Sequence, residues 1–257
     1  MTNIKLEAID NFRDFGGFDT ACGRGLKPGR LFRSANHAYA TDGDLAALRD
    51  LGVEVIVDLR RRRERDREPS RRWEGFAGVV IENDIDGPEH DWADALKAAP
   101  SVNADWFFND SLEFYRAAPH AERIVDLFSR YFHALAETEG PVVVHCAAGK
   151  DRTGMICALT HHIAGVHRDD TLGDYLATND ETQMEKRVGF LGPWVRDLTG
   201  VTLSDAALRQ AVSVHEAFLA EAFKVMADQH GSIDGYLEQA LGVDRALRER
   251  IEARILR

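Results

Sequence analysis

One stretch constrains this chain more than any other: His145-Cys146-Ala147-Ala148-Gly149-Lys150-Asp151-Arg152-Thr153-Gly154. It follows the apolar run Pro141-Val142-Val143-Val144 and opens into Met155-Ile156-Cys157-Ala158-Leu159. A short β-branched run reads as a buried strand, and the segment after the loop suits a helix. A tight turn of this kind aims several backbone N–H groups at one spot, and the helix N-terminus adds partial positive charge there. The sequence therefore predicts an anion site with a thiol at its base. The arginine stands five residues beyond the cysteine, giving Cys-X5-Arg-Thr.

The chain of 257 residues is long enough for one sizeable core, and we read it as a single domain: residues 1–165 as an α/β core, residues 166–257 as a mainly helical cover or lid. Strand and helix patterns alternate up to residue 165, which predicts a mostly parallel sheet flanked by helices. A net charge of −11 argues against nucleic acid as a partner. No apolar run is long enough to span a bilayer, so no stable membrane insertion is expected. The first residues lack the apolar stretch of a signal peptide, which makes the cytoplasm the expected location, with export by a signal-independent route left open. Three cysteines give neither a disulfide framework nor a CxxC metal spacing. Cys157 reads as packing and Cys22 as part of a turn.

Elsewhere, Thr41 to Asp44 has capping-box spacing ahead of Leu45, Leu48 and Leu51, with Gly52 as the stop. Val53 to Arg60 reads as a strand delivering Asp58 and Arg60 at its end, where sites form in open α/β sheets. Residues 60–72 hold eight arginines among Glu64, Asp66 and Glu68. They read as a solvated helix or loop, or alternatively as a basic rim that draws anionic substrates. Arg33 either faces the phosphate site or pairs with a carboxylate. The aromatics Trp92, Trp106, Phe107, Phe108, Phe114 and Tyr115 suit core or lid packing. Ile124, Leu127, Phe128, Tyr131, Phe132 and Leu135 line one helical face. Beyond residue 165 the pattern is helical, with a break expected at Gly192-Pro193 and one helix running from Ser204 or Asp205 through Leu208, His215 and Ala222.

The loop's residues suit phosphoryl transfer. Converging N–H groups (Ala147, Ala148, Gly149, Lys150, Asp151 and Arg152), the helix N-terminus and the Arg152 charge favour a thiolate at Cys146. Arg152 can hold two phosphoryl oxygens in a bidentate fork, which Lys150 cannot. Thr153 is placed to donate to the Cys146 sulfur, and His145 to hold the loop's shape. The implied reaction has two steps, attack on phosphorus and hydrolysis of a phosphocysteine, with no metal or other cofactor and inorganic phosphate as a product.

The loop resembles that of the protein tyrosine phosphatases, in the HCxxGKDRTG form of an atypical bacterial subgroup with mycobacterial and Listeria members. The resemblance extends to Asn11-Phe12-Arg13-Asp14-Phe15-Gly16-Gly17, Leu31-Phe32-Arg33-Ser34, Val57-Asp58-Leu59-Arg60 and Asp174-Tyr175-Leu176, in order, and fades near residue 180. It implies a phosphatase-type α/β fold, and activity on phosphotyrosine, phosphoserine/threonine or phosphoinositides. Some members cover the site with a helical lid. The Trp-Pro-Asp segment that carries the general acid in conventional members does not occur. The resemblance points to Asp151 for that role, ahead of Asp58, Asp84 and Asp86. A phosphoprotein, with phosphotyrosine favoured, is the expected substrate. The alternatives are a phosphoinositide, a non-hydrolysing phosphate reader, and sulfur transfer. Oligomeric state is not encoded in any feature named above.

Overall fold

The computed structural model describes residues 4–85, 92–99 and 101–257, with side chains at 92 and 93 excepted. Five strands form one sheet in the order β1-β2-β5-β3-β4: β1 is Arg13–Asp14, β2 Leu31–Ser34, β3 Val55–Asp58, β4 Val79–Ile81 and β5 Val142–His145. All neighbours are parallel except β1, an antiparallel edge. The alternation of side chains along β5 explains why a continuous valine run was needed. Val142 and Val144 join Leu31, Val55 and Val57 in the large core on one face. Val143 joins Phe32 and Ile56 on the other, where α1 (Asp42–Asp50) supplies Leu45 and Leu48. Each fully buried valine contributes roughly 1.5–3 kcal/mol. The Thr41 capping box forms as expected, with Asp44 N donating to the Thr41 hydroxyl at 3.1 Å.

The larger core is closed by α5 (Glu122–Glu137), α6 (Asp151–Ala164) and three C-terminal helices, α10 (Glu216–His230), α11 (Ile233–Gln239) and α12 (Arg245–Ile255). The expected face of α5 is the one buried. Helix α6 is apolar nearly all round and correspondingly buried, ending at Gly165 in the left-handed region. The short α2 (Arg62–Arg67) follows β3. Among the segments expected from the sequence, Asp86 and the Trp92 side chain lie outside the described residues.

A second core joins Leu96 of α3 (Trp92–Ala98) and Phe107 of α4 (Ala104–Ala117) to α8 (Glu181–Thr199) and α9 (Asp205–Val212). Helix α7 (Arg168–Leu176) links it to the sheet. The helical C-terminal third is as the pattern suggested, but two boundaries differ. Helix α8 continues through Pro193 instead of breaking there. Proline removes the bond to the Gly189 carbonyl, yet Leu191 and Val195 are buried against Leu203, Ala207 and Ala211, and that burial holds the helix together. The helix expected from residue 204 to 222 is instead split into α9 and α10. Asn179 causes the break: its Nδ2 donates to Val214 O and its Oδ1 accepts from Val214 N, both at 2.8 Å. A side chain distant in sequence thus takes the bonds that a continuous helix would use.

Candidate active site

The loop from Cys146 to Lys150 leaves the C-terminal end of the central strand and enters α6, in the crevice where open α/β sheets place ligands. Cys146 is buried at its floor. The carbonyls of the loop are pinned outward by side chains from elsewhere. Ala147 O accepts from Asn36 N at 3.0 Å and Asn36 Nδ2 at 3.2 Å. Ala148 O accepts from Asn11 Nδ2 at 3.3 Å. Gly149 O accepts from Asn11 Nδ2 at 2.8 Å and Arg33 Nη2 at 2.9 Å. Across a trans peptide the next N–H points opposite to the carbonyl, so this pinning turns the N–H groups of 148, 149 and 150 inward. Gly149 itself has φ +67°, and a Cβ there would lie 2.3 Å from Ser34 O. Only glycine lets the loop pass β2 so closely.

The pinning side chains are held in turn. Asp174 takes Arg33 Nη1 at 2.5 Å and Arg13 Nε at 2.8 Å. Burial would raise the Asp174 carboxyl, but the Arg33 and Arg13 charges outweigh it and hold it well below the usual carboxylate range. Arg33 is therefore the partner of a carboxylate, one of the two roles open to it. Asn11 has a positive φ of 58°, a conformation that asparagine tolerates better than most residues, and also accepts from Arg13 Nη1.

Arg152 is clamped on one edge. Its Nη1 donates to Glu64 Oε2 at 2.6 Å and Leu59 O at 3.1 Å, and its Nη2 to Glu64 Oε1 at 2.8 Å. The Nε edge with the second Nη2 proton stays available for an incoming anion. Glu64 is itself fixed in the first turn of α2 by Arg61 N at 2.8 Å. Burial raises the Glu64 carboxyl, yet Arg152 brings it down to about 2.

Asp151 opens α6, its Oδ1 accepting from Tyr115 Oη and Lys150 Nζ, both at 3.0 Å. Tyr115 Oη also meets Tyr175 Oη at 2.7 Å. Lys150 Nζ lies 3.4 Å from Ser213 O, and Ser213 lines an open cleft of about 460 Å³ together with Met184, Gln210, Val214 and His215. Asp58 is buried and bound by Arg60 through Nε, Nη2 and the backbone N–H. Burial raises it, while His145 and Arg60 hold it far below its ordinary range, so it has no proton to give near neutral pH. Asp84 pairs with Arg65.

His145 is fully buried between strands, stacked on His37 at 4.4 Å, with Nε2 3.7 Å from Asp58 Oδ2. Burial pushes its imidazole down to about 4 despite Asp58, which leaves it neutral and suits a shape-holding part. Thr153 Oγ1 is buried but makes no hydrogen bond, so the expected bond to the Cys146 sulfur is not formed here. Its alternative acceptor in the preceding turn, Gly149 O, is already occupied by Asn11 and Arg33. Cys157 is core, its thiol pushed up to about 12 by burial, and Cys22 is exposed in a turn. Among the described residues no cluster of three or more His, Cys, Asp or Glu is arranged to hold a metal, and no helix is long and apolar enough to cross a membrane.

The arginine-rich run is mostly paired: Arg60 with Asp58, Arg62 with Asp66, Arg65 with Glu82 and Asp84, and Arg71 with Asp42. Sequence reasoning missed Glu64 as the Arg152 clamp, and Asn11, Asn36 and Asp174 as supports of the loop. Asn11 and Asp174 fall within segments that carried the family resemblance; nothing in the arginine-rich run marked Glu64 apart from its neighbours.

The chain is 31% identical to a Cupriavidus necator protein described as a tyrosine-protein phosphatase, covering 95% of this chain and 86% of that one. It is 32% identical to the triple specificity protein phosphatase PtpB of Mycobacterium tuberculosis, over the whole of both chains. Among solved structures, P. aeruginosa TpbA is 24% identical and covers 72% of this chain and 86% of its own, with a TM-score of 0.32. The model of the tyrosine phosphatase family matches residues 4–257, well past residue 180, where the resemblance legible in the motifs ends. This chain belongs to the tyrosine phosphatase family and is an enzyme with protein phosphatase activity.

Proposed function

We propose that the chain hydrolyses phosphomonoesters on proteins, phosphotyrosine foremost, through a phosphocysteine on Cys146. The observation that carries this reading is the outward pinning of the Ala147, Ala148 and Gly149 carbonyls above a buried cysteine. That pinning presents inward N–H groups to the non-bridging oxygens, and the free edge of Arg152 completes the cradle. Cys146 sulfur attacks phosphorus while the leaving oxygen takes a proton from Asp151. Oδ1 of Asp151 is engaged by Tyr115 and Lys150, so Oδ2 carries that proton. Water then attacks the phosphocysteine, Asp151 takes its proton back, and inorganic phosphate leaves. The unpartnered Thr153 hydroxyl donates to sulfur as the S–P bond breaks.

Residues 1–257 act as one phosphatase domain in this reading, with α8 and α9 as cover over the loop. All three cysteines are free, which agrees with a reducing, cytoplasmic setting in which a thiol nucleophile persists. A second reading, phosphoinositide hydrolysis, draws on the extra cation that Lys150 brings to the loop and on the triple specificity in the name of the mycobacterial relative. Turnover of p-nitrophenyl phosphate in EDTA, abolished by Cys146→Ser, is the expected result; activity persisting in that variant overturns the mechanism. Side-by-side rates on phosphopeptides and phosphoinositides decide between the substrates.

A further inference from the structure

Helix α8 carries a cation that this mechanism does not use. Arg187 Nη1 donates to Thr178 O at 2.9 Å, whereas Nη2 is buried and has no hydrogen-bond partner. The same turn is tied to the segment that pins the loop. Lys186 Nζ lies 3.0 Å from Asp10 Oδ1, next to Asn11, and the Thr178 hydroxyl accepts from Arg13 Nη2 at 3.4 Å. Arg187 is thus held at the mouth of the loop. Burial pushes its guanidinium down, opposed by Asp10, Asp151, Cys146 and Asp180, all within electrostatic reach.

A buried donor without an acceptor is costly, so Arg187 Nη2 calls for an acceptor from outside the chain. The scissile phosphoryl group does not supply it. The inward N–H groups and Arg152 take its non-bridging oxygens, and its leaving oxygen receives the Asp151 proton. Asp10 and Asp180 already lie within electrostatic reach of Arg187, which favours a monoanion over a dianion. We propose that Arg187 forms a subsite for a carboxylate flanking the phosphotyrosine in an acidic phosphopeptide. This deepens the phosphatase reading and rests on it.

The test is kcat/KM on phosphotyrosine peptides carrying Glu or Gln immediately before or immediately after the phosphorylated residue. The wild-type chain should favour Glu at one of these flanks by roughly five- to tenfold. The preference should fall below twofold in Arg187→Ala and in Arg187→Gln, the latter keeping a donor for Thr178 O. It should persist in Arg196→Ala, which removes an exposed positive charge from the same helix. Equal wild-type rates on the Glu and Gln peptides, or a preference surviving both Arg187 variants, overturn the subsite. A phosphoserine flank outperforming Glu overturns the choice of a carboxylate. Failure of the wild-type chain to turn over p-nitrophenyl phosphate overturns the phosphatase reading instead.

Discussion

Replacing Glu64 by Gln tests the clamp on Arg152. Both side chains are largely shielded, at 13% exposure for Arg152 and 19% for Glu64, so solvent screens the pair only in part. Glu64 falls from an ordinary 4.5 to about 2, a preference for its charged form worth roughly 3 kcal/mol. Discounting for the remaining exposure leaves about 2–3 kcal/mol for the clamp. The loss is sharpened by Arg123, whose Nη1 also donates to Leu59 O, at 3.0 Å. Without Glu64, two guanidiniums share one carbonyl oxygen with no carboxylate between them, and Arg123, already lowered to about 10 by burial and Arg152, is pushed lower still. Arg152 should swing from its fork geometry. We expect Glu64→Gln to lower kcat/KM on p-nitrophenyl phosphate by roughly 30- to 100-fold. Much of the loss should fall in kcat, because the fork matters most when charge builds on the phosphoryl oxygens. The depressed Glu64 carboxyl gives stability that is fully present above about pH 4.5 and is lost as pH falls through about 2. Between pH 5 and 8 the defect should therefore be independent of pH. A loss under threefold, with an unchanged unfolding midpoint, would refute the argument and show that the loop orients Arg152 unaided.

Three further outcomes follow from the same geometry. Gly149→Ala should destabilise the fold by about 2 kcal/mol or more in denaturant unfolding, since its Cβ meets the Ser34 carbonyl and its φ is positive; Gly173→Ala, on an open face of α7, should be neutral or slightly stabilising. On aryl phosphates of differing leaving-group pKa, Asp151→Asn should lose most on the poorest leaving group. Asp58→Asn should give a loss independent of leaving group together with lower stability, and a flat response for Asp151→Asn removes it as the acid. Burial holds His37, His145 and His161 below the ordinary histidine range, so the stability they preserve is present above about pH 6.5 and is lost as pH falls. For His145 that loss runs down to about pH 4 and amounts to roughly 3 kcal/mol. Urea midpoints at pH 7.5 and 5 should therefore differ in that direction, and equal midpoints would count against neutral buried imidazoles.

Much of this enzyme was legible in local patterns. Val142 to Val144, the glycine at 149 and the apolar entry to α6 specify strand, loop and helix from short-range chemistry alone. Cys146 and Arg152 could be named because six residues of chain hold both to one turn. The capping box at Thr41 and the buried face of α5 are equally local. Supports that act across the fold left no comparable trace. Asn11 reaches Gly149 across 138 residues, Arg33 reaches Asp174 across 141, and Glu64 reaches Arg152 across 88. The helix break at Val214 depends on Asn179, 35 residues away. Sequence thus determined that a thiol would sit beneath a helix N-terminus with an arginine beside it. Tertiary structure decided which carboxylate orients that arginine, and which side chains turn the loop's carbonyls outward. It also gave the two aspartates different surroundings, because an aspartate's environment depends on whichever groups the fold brings to it. Asp58 is locked by Arg60 and His145 in the interior, while Asp151 stands at the mouth with one oxygen free.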